Sequence, residues 1–307
     1  MIAISEIKDF LNQNNIPFRY QGEDDYQIDG YCPLNTLKAK CITWVRHAED
    51  LDVGALNNLE GMLLVATDGE TIDGAGFPII FTDDAHRTFF KILAHFWADE
   101  DPETYSAGIA SSAVVETSDI GEDVSIGHHT YIGPRVKIGS HVRILNNVTI
   151  QGKVSIGDYT VIESGTTIGA CGFGHYTDVD GNPVCVPHLA GVVIGAHVKI
   201  GANNTISRGC LADTIIEDYV KTDNLVHIAH NDHIKKRAML TACAEVSGSV
   251  TLGEDVWLAP GTTVNNSVEL GDGVYTGLGA AVTKSQPAGK VVVGVPARIL
   301  RDRYPKN

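Results

Sequence analysis

The chain lacks any run of about 18 apolar residues, the minimum for a membrane-spanning helix, and its start, MIAISEIKDFL, lacks the basic leader and long apolar stretch of a secretion signal. A cytoplasmic protein without a membrane span is expected. No C-x-x-C pair occurs among the six scattered cysteines, Cys32, Cys41, Cys171, Cys185, Cys210 and Cys243. That spacing excludes a zinc knuckle or a disulfide framework and fits reduced, structural thiols. Basic charge is scarce: 23 Lys and Arg face 38 Asp and Glu, a net charge of −15, and the one compact cationic run is the terminal RILRDRYPK. Such a balance repels phosphate backbones, so nucleic acid is not an expected partner. A Gly-rich phosphate loop near the N-terminus is missing too, which argues against a sugar nucleotidyltransferase.

What is present divides the 307 residues into unlike parts. In the first hundred, CITWV, GMLLVA and FPIIF read as short strands, and DDAHRTFFKILAHFW sets Phe89, Leu93 and Phe96 on one helical face. A small α/β domain over 1–105 is expected. The acidic stretch ADEDPETYSAG, with Pro102 and no periodicity, reads as a linker.

From Ile120 the pattern changes to a period of six, with aliphatics at Ile120, Ile126, Ile132, Ile138, Ile144, Ile150, Ile156, Ile162 and Ile168. Nine such hits in a row arise by chance only a few times in about a million starts, and neither a helix nor an ordinary strand repeats at six. A small or β-branched residue follows four positions later, as at Val124, Thr130, Val136 and Val142. This is the hexapeptide pattern of a parallel β-helix, a triangular prism in which each hexad supplies one strand and one corner. The phase resumes at Ile194, slips by four between Ile206 and Ile216, and continues to Val282, giving about eight coils over 106–290. The intervening CGFGHYTDVDGNPVCVPHLAG, within 170–191, is too long for a corner and must project as a loop. Residues 291–307 read as a short basic tail.

The run HIAHNDH sets His227, His230 and His233 three apart, a spacing that invites a metal reading. In a prism, residues six apart occupy different faces, so His227 and His233 cannot share an ion with His230, and no metal is expected. Residues 18 apart stack, and the residue one coil above His230 is Gly248. A titratable imidazole next to a bare backbone N–H is what acyl transfer to an amine needs: a base for the amine proton and a donor for the oxyanion. A solvated surface histidine satisfies the same register.

The segments GFGH, VPHLAGVVIG, TISRGCLADT and TDNLVHIAHND resemble the UDP-3-O-acylglucosamine N-acyltransferase family of lipid A biosynthesis, along nearly the whole chain. The resemblance implies a left-handed β-helix in a homotrimer, an N-terminal domain that helps hold uridine nucleotide, and an acyl carrier protein as donor. Carried over by position, it makes His230 the general base and Gly248 the oxyanion donor, both catalytic. Asp223 and Asn224 then orient base or sugar, and Trp44 stacks on the pyrimidine. The loop residues Phe173, His175 and His188 are expected to border the acceptor or a neighbouring subunit.

Three features depart from the family. Ser267 stands where the family carries a second histidine, Ser207 replaces the acid of its DRG motif, and the helical extension that engages the carrier protein is replaced by VVVGVPARILRDRYPKN. That ending is similar to the close of hexapeptide enzymes that use acyl-coenzyme A, with Arg298, Arg301 and Arg303 available to phosphates. The expectation is therefore an N-acyltransferase acting on a UDP- or dTDP-linked amino sugar, with acyl-CoA favoured as donor of a short or 3-hydroxyacyl group. The alternatives are the lipid A enzyme using acyl carrier protein and a non-catalytic trimeric scaffold that binds sugar nucleotides. A γ-type carbonic anhydrase shares the fold, but the dispersed histidines disfavour it.

Overall fold

A computed structural model describes residues 1–22, 26–98 and 107–304. The chain divides into two compact units, Met1–Thr104 and Tyr105–Asn307. The expected linker and the boundary near 105 fall largely outside the described residues.

The first unit is a five-stranded mixed sheet with two main helices. The three expected strands form at Cys41–Val45, Leu63–Thr67 and Ile79–Thr82 and lie parallel at its centre, buried on both faces, which is why they read as continuous apolar runs. The helix Ala85–Phe96 begins where the Asp84 carboxylate accepts the Arg87 N–H at 2.9 Å. It buries Ala85, Phe89 and Ile92, with Leu93 and Phe96 at the margin of the same cluster. Burial, with Cys32 alongside, pushes the Cys41 thiol up to about 11, so Cys41 stays a thiol at neutral pH.

The second unit is a left-handed parallel β-solenoid. One face stacks ten parallel strands, from Gly108–Ile109 at one end to Lys290–Val293 at the other. A second face stacks nine, from Val114–Val115 to Ala281–Val282. The third stacks seven, from Val136–Ile138 to Glu269–Leu270, and is extended at both ends by the bridges Ile120↔Ile138 and Leu270↔Gln286. Among the described residues this makes about nine coils where the periodicity suggests eight, because the first and last coils carry weaker hexads.

The register follows the period. Ile126 pairs with Ile144, Ile132 with Ile150 and Ile138 with Ile156, each 18 residues on, and all are buried in one continuous core. The residue three positions after the aliphatic turns the corner with φ near +60°, as at Asp123, Asn147, Asn203, Asn231 and Asp255. The interior position one further on is often a short polar residue whose oxygen caps a backbone N–H in the next coil. Thr130 accepts from Val148 N at 3.2 Å, Thr166 from Asn204 N at 3.1 Å, and Asn204 from Val226 N at 2.6 Å.

Two irregularities interrupt the prism, both on the edge between the second and third faces. The projecting loop leaves after Thr167–Ala170, forms the hairpin His175–Thr177 with Pro183–Cys185, and returns at Val192–Ile194. The four-residue slip is a small insertion between Thr205–Ser207 and Thr214–Ile216. The segment read as a short basic tail contains regular structure. Lys290–Val293 and Arg298–Asp302 pair as an antiparallel hairpin that closes the first face.

Candidate active site

His230 follows the strand His227–Ile228 and stands on the irregular edge, beneath Gly248. A Cβ built on Gly248 would lie 2.8 Å from both Cε1 and Nε2 of the His230 ring, so only glycine fits there. Corner amides elsewhere are capped from the coil above: His128 N–H by Asn146 at 2.7 Å, Ser140 N–H by Asp158 at 2.8 Å, Ala202 N–H by Asn224 at 2.7 Å. Gly248 has no side chain to offer. Neither the backbone N–H of His230 nor the buried N–H of Gly248 has an acceptor among the described residues.

The ring is oriented by a residue that sequence reasoning missed. Asn231 Oδ1 lies 3.0 Å from His230 Nδ1 and accepts the Cys210 N–H at 3.1 Å, and its Nδ2 donates to Ala212 O at 2.8 Å. With Nδ1–H donating to Asn231, the lone pair sits on Nε2, the atom under Gly248. The available signal is the four-residue slip, since the insertion it creates is what Asn231 grips.

The loop brings a second imidazole. The His188 ring is 4% exposed and packs edge-on against His230, with centroids 5.1 Å apart. Gly172 lets the loop pass this close, for a Cβ there would meet His188 Nε2 at 2.6 Å and His230 Cδ2 at 2.7 Å. Arg208 ties the loop down, donating from Nε to His188 O at 2.9 Å and from Nη1 to Gly169 O at 2.8 Å. Two clefts run beside this edge, of about 520 Å³ and 400 Å³, sharing Arg135 and Lys153; the smaller reaches His188 and Arg208. His230 itself lines neither.

His227 binds Thr205 Oγ1 at 2.6 Å and His233 binds Glu217 Oε1 at 2.7 Å, on different faces, as the period requires. Asp223 and Asn224 lie one hexad before His230, on the neighbouring edge. There Asp223 accepts the Asn224 N–H at 2.7 Å and Asn224 caps Ala202, so neither orients His230 within its own chain. Phe173 is 91% exposed and rests on His175, whose Nε2 is 3.3 Å from Cys185 Sγ. Ser207 is buried, and Ser267 donates its N–H to Gly248 O at 3.1 Å.

Arg298, Arg301 and Arg303 do not converge on the site. Arg298 donates to Ala297 O, Arg301 to Asp302 O, and Arg303 to Asp255 O and Gly273 O. Arg298 and Arg301 sit on the closing strand of the first face, four strand spacings beyond Met239–Leu240, about 19 Å along the axis, while Arg303 reaches back to the Asp255 and Gly273 carbonyls on a different edge of the prism from His230.

In the first unit Trp44 is half-buried, edge-on to His86 at 4.8 Å. It lines a cleft of about 460 Å³ with Tyr31, Pro33, Arg46 and Phe90.

The family model of the bacterial transferase hexapeptide (six repeats) matches residues 117–150 and 135–170. A UDP-3-O-acylglucosamine N-acyltransferase of Janthinobacterium sp. is 41% identical over 257 residues, covering 77% of this chain and 73% of that protein. The chain belongs to the UDP-3-O-acylglucosamine N-acyltransferase family. Other relatives share a shorter stretch. UDP-3-O-acylglucosamine N-acyltransferase 2 of Legionella pneumophila is 46% identical over 101 residues, 33% of this chain and 29% of that protein. The chain thus spans about a third of the length of the first relatives it matches. Among solved structures, a UDP-N-acetylglucosamine acyltransferase from Campylobacter jejuni superposes with a TM-score of 0.56 at 25% identity, over 64% of this chain and 75% of that one. One from Bacteroides fragilis, at 22% identity and a TM-score of 0.58 over 64% and 75%, shares the fold. No helix among the described residues is long and apolar enough to cross a membrane.

Proposed function

We propose that the chain is an N-acyltransferase that moves a 3-hydroxyacyl group from a thioester carrier to the amine of a UDP-linked, 3-O-acylated glucosamine, acting in the cytoplasm as a homotrimer. The observation that carries the reading is the His230 ring held under Gly248 with its Nε2 free. Nε2 takes a proton from the acceptor's ammonium group. The amine then attacks the thioester carbonyl; the new C–N bond forms while the carbonyl pair moves to oxygen, and the Gly248 N–H stabilises that oxyanion. Collapse breaks the C–S bond, the proton on His230 passes to the departing thiolate, and the regained Nε2 lone pair takes the second surplus proton from the nitrogen and releases it to water. The base supplies about 10²–10⁴ in rate and the amide about 3 kcal/mol. These steps call on no metal.

Carrier protein is favoured over coenzyme A as donor. The ground for coenzyme A is the arginine-rich ending, and those arginines are bonded to backbone carbonyls of the capping hairpin and solenoid, on a different edge of the prism from His230. Trp44, with Tyr31 and Phe90, supports a pyrimidine-stacking role in the first unit. Arg135, Lys153 and Arg208 give the cleft beside His188 the cations that a diphosphate or phosphopantetheine group requires. Phe173 is assigned to acceptor or neighbouring-subunit contact by its exposure.

The test is thiol release by purified protein with UDP-3-O-acylglucosamine as acceptor, comparing acyl carrier protein and acyl-coenzyme A as donors. Turnover with carrier protein, reduced about 10²–10⁴-fold in His230→Ala with KM little changed, is expected. Full turnover by His230→Ala rejects the base, and turnover with coenzyme A alone reverses the donor.

A further inference from the structure

We propose that His188, Cys210 and His230 form a site for a borderline-soft divalent cation of the Zn²⁺ type, and that its occupation and acyl transfer exclude each other. The second clause rests on His230 being the base; the first does not.

One ring nitrogen from each histidine and the Cys210 sulfur lie within 4.8 Å of one another. Proximity alone proves little, but His188 supplies an independent reason. Its Nδ1 is 2.8 Å from Val186 O, with Cys171 Sγ at 3.3 Å, so the ring proton sits there and Nε2 carries a lone pair. That Nε2 is buried and has no hydrogen-bond partner among the described residues. A buried acceptor without a donor is costly, and a cation would satisfy it.

The surroundings are those of a ligand set. Metal-binding histidines donate their remote N–H to an oxygen that fixes tautomer and orientation. Both rings do so: His188 to Val186 O, His230 to Asn231 Oδ1. The same Asn231 oxygen accepts the Cys210 N–H, which ties this residue to the network holding the base. A tetrahedral ion with bonds of about 2.0–2.1 Å to nitrogen and 2.3 Å to sulfur needs its ligands roughly 3.3–3.6 Å apart, so from separations within 4.8 Å the three ligand atoms need close by no more than about 1.5 Å. Two imidazoles and a thiolate favour Zn²⁺ over Mg²⁺ or Ca²⁺ and leave a fourth position for water. Binding replaces the thiol S–H by S–metal and releases one proton, with no electron transferred. A His230 lone pair donated to the ion cannot take the amine proton.

Chelator-treated protein titrated with Co²⁺ should bind one equivalent per chain, with a thiolate-to-cobalt charge-transfer band and the intense visible absorption of four-coordinate cobalt, both lost on adding Zn²⁺. Cys210→Ala should lose the charge-transfer band, bind at least about tenfold more weakly, and keep its thermal transition. His188→Gln should also weaken binding. Zn²⁺ should suppress thioester turnover of the unaltered chain, reversibly with chelator, while turnover of Cys210→Ala, whatever its metal-free rate, resists Zn²⁺. A cobalt spectrum without the thiolate band, or an unchanged titration in Cys210→Ala, overturns the site. Cobalt binding as expected with turnover that ignores Zn²⁺ overturns the exclusion, and an unaltered chain with no turnover in metal-free buffer fails the acyltransferase reading while the cobalt spectrum still reports on the metal.

Discussion

Replacing Asp232 by Asn isolates one titrating group inside the solenoid. Asp232 occupies the interior position that elsewhere carries Val, Thr, Ala or Asn, and it is fully buried. Its Oδ1 caps Val250 N at 2.8 Å, as threonines do in other coils, while Oδ2 has no partner among the described residues. Burial pushes its carboxyl up from 3.8 to about 9. Between those values the native chain keeps a proton that the unfolded chain releases, so stability falls as pH rises; below about 4 the cost vanishes. At pH 7 the gap from 3.8 is about 3.2 units, and at about 1.36 kcal/mol per unit the native state is destabilised by about 4 kcal/mol. The carboxamide of Asp232→Asn keeps the acceptor for Val250 and carries no such penalty. The variant should gain about 2 kcal/mol at pH 5, about 4 at pH 7 and about 6 at pH 8. Urea unfolding of both proteins at fixed chain concentration across that range measures the difference. A difference that stays flat with pH would refute the argument, because only a proton-linked cost grows with it.

Gly248→Ala sets a methyl 2.8 Å from the His230 ring without needing an unusual backbone angle, so turnover should fall about 10²-fold or more while the fold survives, as circular dichroism would report. Asn231→Ala removes the acceptor of His230 Nδ1–H and strains a corner at φ +64°, so the melting temperature falls and kcat should also drop roughly tenfold with little change in KM; a lowered melting temperature with kcat unchanged would mean a purely structural role. Trp44→Ala should raise KM for the nucleotide sugar about tenfold and leave kcat near normal in steady-state assays.

The pairing of His230 with Gly248, the separation of His227 from His233 and the projection of the loop all follow from counting in sixes and eighteens, since parallel in-register coils convert sequence separation directly into position. Counting gives no access to Asn231, Cys210 or the nearness of His188, because the loop and the four-residue insertion leave the period and return by paths that packing decides. The arginines near the C-terminus show the same limit: composition reads as a short basic tail, while the pairing of Lys290–Val293 with Arg298–Asp302 and the carbonyls those side chains bind are decided by packing. Asp223 and Asn224 look like partners of His230 by nearness along the chain, which in a prism means a different edge.

By itself the sequence determined the solenoid, its register and the stacking of His230 beneath Gly248, because a repeat that buries one aliphatic every six residues has few ways to close. Tertiary structure alone decided which groups orient that base and what stands beside it. Asn231 is the next residue along the chain, but the contacts that fix it, to Cys210 and Ala212, and the packing of His188 join segments about 20 residues or more apart across an interrupted edge, and no local period encodes the distance between them.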